Sequence, residues 1–130
     1  MPSSVKVWMW PTQGEVIQGF SVTEKGLSIA GKEGQPIHAA AAGRVVYRGS
    51  GLIGLGELVI IKHDKSFLSA YAHNKKVLVT EGDKVTLGQT IAEMGKTGTE
   101  RVKLYFEIRK DGKPVDPLLY LPRKNQQRLR

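Results

Sequence analysis

Polar side chains that could do chemistry occupy alternate positions of one short stretch, residues 101–109. They are Lys103, Tyr105, Glu107 and Arg109. A metal site needs side chains with a free lone pair, but a lysine ammonium has none and a neutral phenol is a poor ligand. The same groups can form ion pairs and hydrogen bonds, and a tyrosine can anchor a partner. Lys103 and Tyr105 are therefore poor candidates for metal ligands.

A β-strand must position these side chains, because apolar residues alternate with them. The intervening positions hold Val102, Leu104, Phe106 and Ile108. Strict alternation is typical of a strand with one buried face. We therefore predict a strand over residues 101–109, with its apolar face in the core and its polar face at the surface.

The composition is that of an ordinary globular domain. Hydrophobic residues make up 40% of the 130 residues and charged residues 25%, enough for one domain with its own core. No apolar run approaches the roughly 20 residues that a membrane-spanning helix needs. Cysteine is absent, which excludes disulfides and thiolate metal sites. The first residues lack the apolar core of a secretory signal, so we expect a chain acting outside the cytoplasm to be part of a longer precursor.

The net charge of +8 is concentrated at the carboxyl end. Residues 123–130 hold four basic side chains and no acidic one, which leaves +4 for residues 1–122. We expect a solvated tail that could also attach to an anionic wall polymer. No aromatic side chains are interleaved with the basic ones, so nucleic acid is a disfavoured partner.

Turn residues divide the rest of the chain into short segments, which predicts an all-β fold. Runs at residues 57–63 and 67–73 predict a hairpin across residues 64–66. Asp111 and Gly112 suit a second tight hairpin. Short strands separated by turn glycines are typical of a compact antiparallel sandwich or barrel.

Two glycine-containing segments need separate interpretation. Residues 34–48 are alanine-rich, but Pro36 and Gly43 bracket the alanines too closely for a helix, so two short strands around a bend are predicted. Residues 49–56 hold four glycines, yet no βαβ unit surrounds them, which argues against a phosphate loop. We expect a mobile loop at the rim of a groove, with apolar tip residues that meet partners. These are Leu52, Ile53 and Leu55.

Several phrases of the sequence closely resemble those of lysostaphin/LytM-type zinc endopeptidases, in the same order from Trp10 to Pro122. They include Trp-Pro-x-x-Gly-x-Val-Ile at 10–17, Tyr-x-His at 71–73, Gly-Asp-x-Val-x-x-Gly-Gln-x-Ile-Ala at 82–92 and Leu-Tyr-Phe-Glu-Ile-Arg at 104–109. The third phrase is shared in outline with biotin and lipoyl carriers, but their modified-lysine motif is missing. The resemblance implies the LytM fold, an antiparallel barrel-sandwich with an open groove.

The metal-ligand positions of that family have all changed in this chain. In the active endopeptidases, zinc is held by the His and Asp of a His-x-Gly-x-Asp segment and by the second His of a His-x-His strand. The matching positions here carry Glu24, Ser28 and Tyr105, and Lys103 replaces the other histidine. A catalytic zinc needs three protein ligands and an open position for water. We therefore expect no metal, no cofactor and no enzymatic activity.

The resemblance also implies where a partner would bind. The family's Tyr-x-His histidine, which orients substrate or stabilises charge, is retained as His73, whereas His63 is interpreted as structural. We predict that the vacant groove has become a partner-binding site. Its residues are Glu24, Ser28, Tyr71, His73, Lys103 and Tyr105.

The chain looks like degenerate LytM domains of the NlpD/EnvC type. That class implies a non-catalytic activator of zinc N-acetylmuramoyl-L-alanine amidases, which split septal peptidoglycan in daughter-cell separation. The groove would dock the amidase and favour a conformation in which an inhibitory helix leaves the amidase's zinc site. The implied location is the periplasm of a Gram-negative bacterium, within a longer exported or lipid-anchored protein.

Two other functions stay open at this point. The groove could hold stem peptides or glycan, making the chain a peptidoglycan-binding module, or the domain could be an active metalloenzyme after all. We expect no contact of the domain itself with nucleic acid or membrane. The predicted organisation is a lead-in at residues 1–9, the degenerate LytM domain at 10–122 and the basic tail at 123–130.

Overall fold

The computed structural model describes residue 5 and residues 7–124. Most of the predicted lead-in and the greater part of the basic tail, residues 125–130, therefore lie outside the described residues. Within the described ranges there are ten strands and one short 3-10 helix. They are β1 Val16–Gln18, β2 Leu27–Ala30, β3 Pro36–His38, β4 Gly43–Gly49, β5 Glu57–Lys62, β6 Phe67–Val77, β7 Lys84–Val85, β8 Thr90–Met94, β9 Lys103–Lys110, β10 Lys113–Val115 and the 3-10 helix Pro117–Leu119.

The strands form one antiparallel sheet, with β9 and the long β6 side by side near its middle. The main path runs β1-β2-β9-β6-β5-β4-β7, while β10 pairs with β9, and β8 pairs with both β3 and β6. The all-β antiparallel fold is confirmed. No helix among the described residues is long and apolar enough to cross a membrane.

Strand β9 follows from the alternation seen in the sequence. The side chains of Leu104, Phe106 and Ile108 are fully buried, and the polar residues between them face the other way. The strand begins at Lys103, two positions later than predicted. Residues 99–102 bend instead, and the β9 ladder starts where the Lys103 amide donates to the Gly95 carbonyl at 3.1 Å.

Both predicted hairpins are confirmed, each with the turn chemistry its residues favour. Between β5 and β6, the Asp64 carboxylate accepts from the Ser66 and Phe67 amides, both at 2.8 Å. Between β9 and β10, Asp111 and Gly112 both have positive φ, 52° and 82°, as a type I′ turn requires.

The alanine-rich segment forms two strands around a bend, as predicted, but they do not pair with each other. Strand β3 pairs with β8, and β4 pairs with β5 and β7. The bend itself is buried, since Ala39, Ala40 and Ala41 are at most 2% exposed. A Cβ at Gly43 would lie 2.4 Å from the Lys62 carbonyl oxygen, so β4 and β5 approach closely only because residue 43 is glycine.

The ends of the described chain pack against each other. Trp8 lies edge-on to His63, Phe67 and Tyr120, with ring centroids 5.1–6.0 Å apart. The Trp10 indole donates to the Pro122 carbonyl at 2.7 Å, and the Lys124 ammonium lies 4.4 Å from the centroid of the Trp10 ring. The first residues of the basic tail are thus attached to the domain.

Candidate functional site

Three neighbouring strands bring most of the predicted site residues together. Strand β9 lies between β2 and β6, and the register sets Tyr105 opposite Ser28 on one side and opposite Ala72 on the other. Cα atoms opposite each other in such a ladder are roughly 5 Å apart. Ser28, Tyr105 and the residue beside His73 therefore form one row across the sheet.

His73 is held in an unusual backbone conformation. Its φ is +70°, a left-handed value that costs a non-glycine residue about 1 kcal/mol or more. The β6–β9 pairing ends at Ala72, and the β6–β8 pairing begins at Asn74. His73 therefore stands where β6 changes partners, and its amide donates instead to the Leu55 carbonyl at 2.9 Å.

The His73 ring is a neutral hydrogen-bond acceptor. Its Nδ1 lies 2.7 Å from the Thr97 carbonyl oxygen, and because a carbonyl only accepts, Nδ1 carries the proton and Nε2 is left with a lone pair. Burial lowers the pKa of His73; the bond to Thr97 opposes this effect and the positive charge of Lys103 adds to it. The neutral form is therefore favoured.

Tyr105 shares its proton with a buried carboxylate. Its hydroxyl donates to Glu107 Oε2 at 2.6 Å, and the Arg109 Nε donates to Glu107 Oε1 at 2.7 Å. Burial raises the pKa of Tyr105, and the hydrogen bond and charge of Glu107 and the charge of Glu24 raise it further, against a smaller opposing effect of Arg109. The phenol is thus neutral, and its oxygen can offer a partner only lone pairs.

Glu107 and Arg109 position Tyr105, and the sequence-based set of site residues omitted them. Their spacing of two along β9 was the available signal, since residues 105, 107 and 109 share a face. Glu107 is only 8% exposed. A Cβ at Gly26 would lie 2.9 Å from Glu107 Cγ and 2.3 Å from the Phe106 carbonyl oxygen, so glycine is required for the segment before β2 to pack this closely against β9.

The remaining predicted site residues differ in how far they are exposed to solvent. Glu24 and Lys103 are partly exposed, and Ser28 is buried at 4%. The charges of Glu24 and Lys103 act on Tyr105 and His73, respectively, and the ring centroids of His73 and Tyr105 are 6.3 Å apart. We call these residues the site cluster: Glu24, Ser28, His73, Lys103 and Tyr105.

Tyr71 does not belong to the site cluster, and its prediction as a residue facing a partner is wrong. Its side chain is fully buried in the core. The hydroxyl accepts from the Ala40 amide at 2.9 Å and lies 2.7 Å from Ser69 Oγ. Burial raises the pKa of Tyr71 to about 12. The change of backbone direction at His73 separates the two residues that a regular strand would place on one face.

The site cluster does not fit a catalytic zinc ion. Among residues 5 and 7–124, no group of three or more His, Cys, Asp or Glu side chains is placed to hold a metal. The Tyr105 proton is engaged with Glu107, Ser28 offers only a neutral hydroxyl, and the charge of Lys103 opposes a cation.

Comparison with known proteins assigns the class. The chain belongs to Peptidase family M23, whose sequence pattern matches residues 22–117. Its relatives include the lipoprotein NlpD/LppB homologue of Pseudomonas aeruginosa, 60% identical over 120 residues that make up 90% of this chain and 40% of that protein. The murein hydrolase activator NlpD of Escherichia coli K12 is 54% identical over 123 residues, 92% of this chain and 32% of that protein. The chain thus spans less than half the length of these relatives.

Solved structures of two peptidases share the fold. A putative M23 peptidase from Pseudomonas aeruginosa superposes with a TM-score of 0.84 at 28% identity, over 92% of this chain and 52% of that one. A zinc-containing peptidase from Vibrio cholerae gives 0.80 at 26% identity, over 86% and 39%. The scaffold of this chain therefore matches the scaffold of these peptidases, and on it this chain carries the site cluster described above.

Proposed function

We propose that this chain is the partner-binding domain of a non-catalytic activator of murein hydrolases. The observation that carries the proposal is the site cluster itself, which keeps the family's strand arrangement and His73 but replaces the ligand positions with Glu24, Ser28 and Tyr105. The name of the Escherichia coli relative, murein hydrolase activator, supports the same function.

The partner in this proposal is a zinc N-acetylmuramoyl-L-alanine amidase. The site cluster offers it a donor in Lys103, a carboxylate in Glu24, and acceptors in the oxygen of Tyr105 and Nε2 of His73. Such a mixed polar surface with a tyrosine is suited to protein recognition, where charge pattern selects the partner and an aromatic side chain supplies contact area.

Activation follows from a difference in affinity. The domain binds the open amidase, whose inhibitory helix has left its zinc site, more tightly than the closed form, and so raises the open population. Moving a 1:99 equilibrium to 99:1 requires about a 10⁴-fold difference in affinity between the two forms. The domain contributes no chemical step of its own.

The site of action is the cell envelope. Relatives of this chain are named lipoproteins, and one from Haemophilus influenzae is named outer membrane antigenic lipoprotein B. We infer that this domain acts in the periplasm as part of a longer, lipid-anchored protein, with the anchor outside the described domain.

Dye release from labelled peptidoglycan tests the proposal. Candidate amidases are assayed with and without the domain, in wild type and in the Lys103→Ala and Tyr105→Ala variants, with Lys113→Ala as the matched control because Lys113 is an exposed lysine on β10. We expect stimulation by the wild type and by Lys113→Ala, and at least a tenfold loss in the two site variants. Dye release by the domain alone would contradict the proposal.

A peptidoglycan-binding module is the alternative, favoured by the net charge of +8, which suits an anionic wall polymer. Sedimentation with purified sacculi in the absence of any amidase separates the two functions. The alternative is supported if the domain binds sacculi while no amidase is stimulated.

A further inference from the structure

The loop between β4 and β5 carries an apolar tip without a partner in the fold. Residues 50–56 contain no charged side chain. Ile53 is fully exposed at 102%, the highest value of any large hydrophobic residue in the described chain, and Leu52 is 47% exposed. We call Leu52 and Ile53 the apolar tip. Leu55, predicted to share the tip, is only partly exposed.

A tight turn presents Ile53 outward. The Leu55 amide approaches the Leu52 carbonyl oxygen at 3.4 Å, and Gly54 has a φ of +84°. A positive φ at the third turn position is the mark of a type II turn, in which glycine is favoured. Ile53 occupies the second position, at the corner, where its side chain contributes nothing to the core.

Both ends of the loop are attached to the domain. The Gly51 amide donates to the Tyr47 hydroxyl at 3.2 Å, and the Glu57 amide donates to Thr97 Oγ1 at 3.0 Å. At Gly56 an added Cβ would lie 2.2 Å from the Thr97 carbonyl oxygen, so the loop packs tightly on the segment after β8. A loop held at both ends loses less conformational entropy when a partner binds it than a free segment would.

The apolar tip borders the site cluster. The Leu55 carbonyl accepts the His73 amide directly, and Ile53 is two residues from Leu55, a chain distance of at most about 7 Å. A protein that covers His73 and Tyr105 therefore meets the tip at the edge of its footprint.

We propose that the apolar tip is a second anchor for the murein hydrolase, with Ile53 inserting into an apolar pocket on that enzyme; this rests on the proposed function. The chemistry of the loop disfavours other occupants. Glycan recognition uses rings and polar groups, and residues 50–56 contain neither an aromatic nor a charged side chain. Attachment to lipid is strengthened by basic side chains beside the apolar ones, and these residues hold none.

The test is Ile53→Ser in an affinity measurement with an amidase that the wild-type domain stimulates. Burial of an isoleucine side chain corresponds to roughly a ten- to hundredfold change in affinity, so we expect a loss of that size. Leu119→Ser is the matched control, because Leu119 is 75% exposed on the 3-10 helix, and its affinity should stay within about twofold of wild type. The melting temperature of both variants should be unchanged.

The outcomes separate this inference from the proposed function. If Tyr105→Ala weakens amidase binding and Ile53→Ser does not, the tip is not an anchor and the proposed function stands. If the wild-type domain stimulates no amidase, the proposed function fails. If Ile53→Ser abolishes sedimentation with phosphatidylglycerol vesicles but leaves amidase affinity unchanged, the tip binds lipid and the inference is overturned.

Discussion

At the scale of single residues, the site is defined by where protons lie. The Tyr105 hydroxyl donates a hydrogen bond to Glu107, and His73 Nδ1 donates one to the Thr97 carbonyl. Both residues are consequently left with acceptor lone pairs, although His73 itself is only 5% exposed. A partner group that meets them must bring N–H or O–H donors.

The protonation state of His73 should therefore control activation. Because its pKa in the folded domain is below the usual 6.5, the acceptor form is present throughout the range above that value. Stimulation should be constant above about pH 6.5 and fall as the pH drops through the lowered pKa, where Nε2 becomes a donor. The measurement is the ratio of stimulated to basal amidase activity against pH, which removes the amidase's own profile.

A His73→Gln variant is the control for this pH dependence, because a glutamine does not titrate. Its stimulation, whatever its size, should have no step in the acidic range. An equal acidic decline in wild type and His73→Gln would show that another group is responsible.

At the scale of elements, a partly buried series of hydrogen bonds runs from β6 to His63, just after β5, and on to the bend before β4. His63 Nδ1 lies 2.7 Å from the Ala42 carbonyl oxygen, so its Nε2 accepts from Ser69 Oγ, also at 2.7 Å. Because the single Ser69 hydroxyl proton points to His63, the Tyr71 hydroxyl donates to Ser69 Oγ while it accepts the Ala40 amide. Every hydrogen bond in this series therefore donates in the same direction. Only the neutral form of His63 fits that arrangement.

Stability should therefore fall in acid. Burial lowers the pKa of His63, against the bond to Ala42 and the negative charge of Asp64, which raise it. A group whose pKa is lower in the folded state contributes stability that is complete above its unfolded pKa and lost as the pH falls through the folded one. Urea denaturation should show the free energy of unfolding decreasing below about pH 6.5.

Ser69→Ala should interrupt this series of hydrogen bonds at its middle. It leaves the Tyr71 hydroxyl without an acceptor and His63 Nε2 without a donor, at a cost of about 1–3 kcal/mol in the free energy of unfolding at neutral pH. The exposed Ser50→Ala is the control and should change it by less than about 0.5 kcal/mol. Equal effects of the two substitutions would contradict the inferred series of hydrogen bonds.

Gly26→Ala tests the contact between the segment before β2 and β9. The added methyl group would lie 2.3 Å from the Phe106 carbonyl oxygen, so backbone must move, and we expect a destabilisation of about 1–3 kcal/mol. Gly19→Ala is the matched control, because no atom lies within 4 Å of a Cβ built at Gly19. Its free energy of unfolding should change by less than about 0.5 kcal/mol, and a tolerated Gly26→Ala would contradict the close packing.

At the scale of the whole molecule, local sequence signals predicted the strands and turns better than they predicted which strands pair with each other. Alternation identified the buried face of β9, and turn residues identified both hairpins, because these features depend on adjacent residues. The pairing of β6 with β8 and β9 depends on contacts far apart in sequence, which no local pattern encodes.

The errors in predicting the site residues have the same physical origin. Tyr71 and His73 are two residues apart, which places them on one face of a regular strand, but the positive φ of His73 ends the regularity. Likewise, the spacing of Tyr105, Glu107 and Arg109 indicates a shared face but does not reveal which groups bond. Both features arise from tertiary contacts that the sequence pattern does not contain.

Calorimetric titration of a candidate amidase with this domain tests the central claim most directly. If the site cluster is the docking surface, the wild-type domain binds, the Lys103→Ala/Tyr105→Ala double variant binds at least tenfold more weakly while keeping its fold, and Lys113→Ala binds like wild type. Equal affinity of the double variant and the wild type would contradict the account.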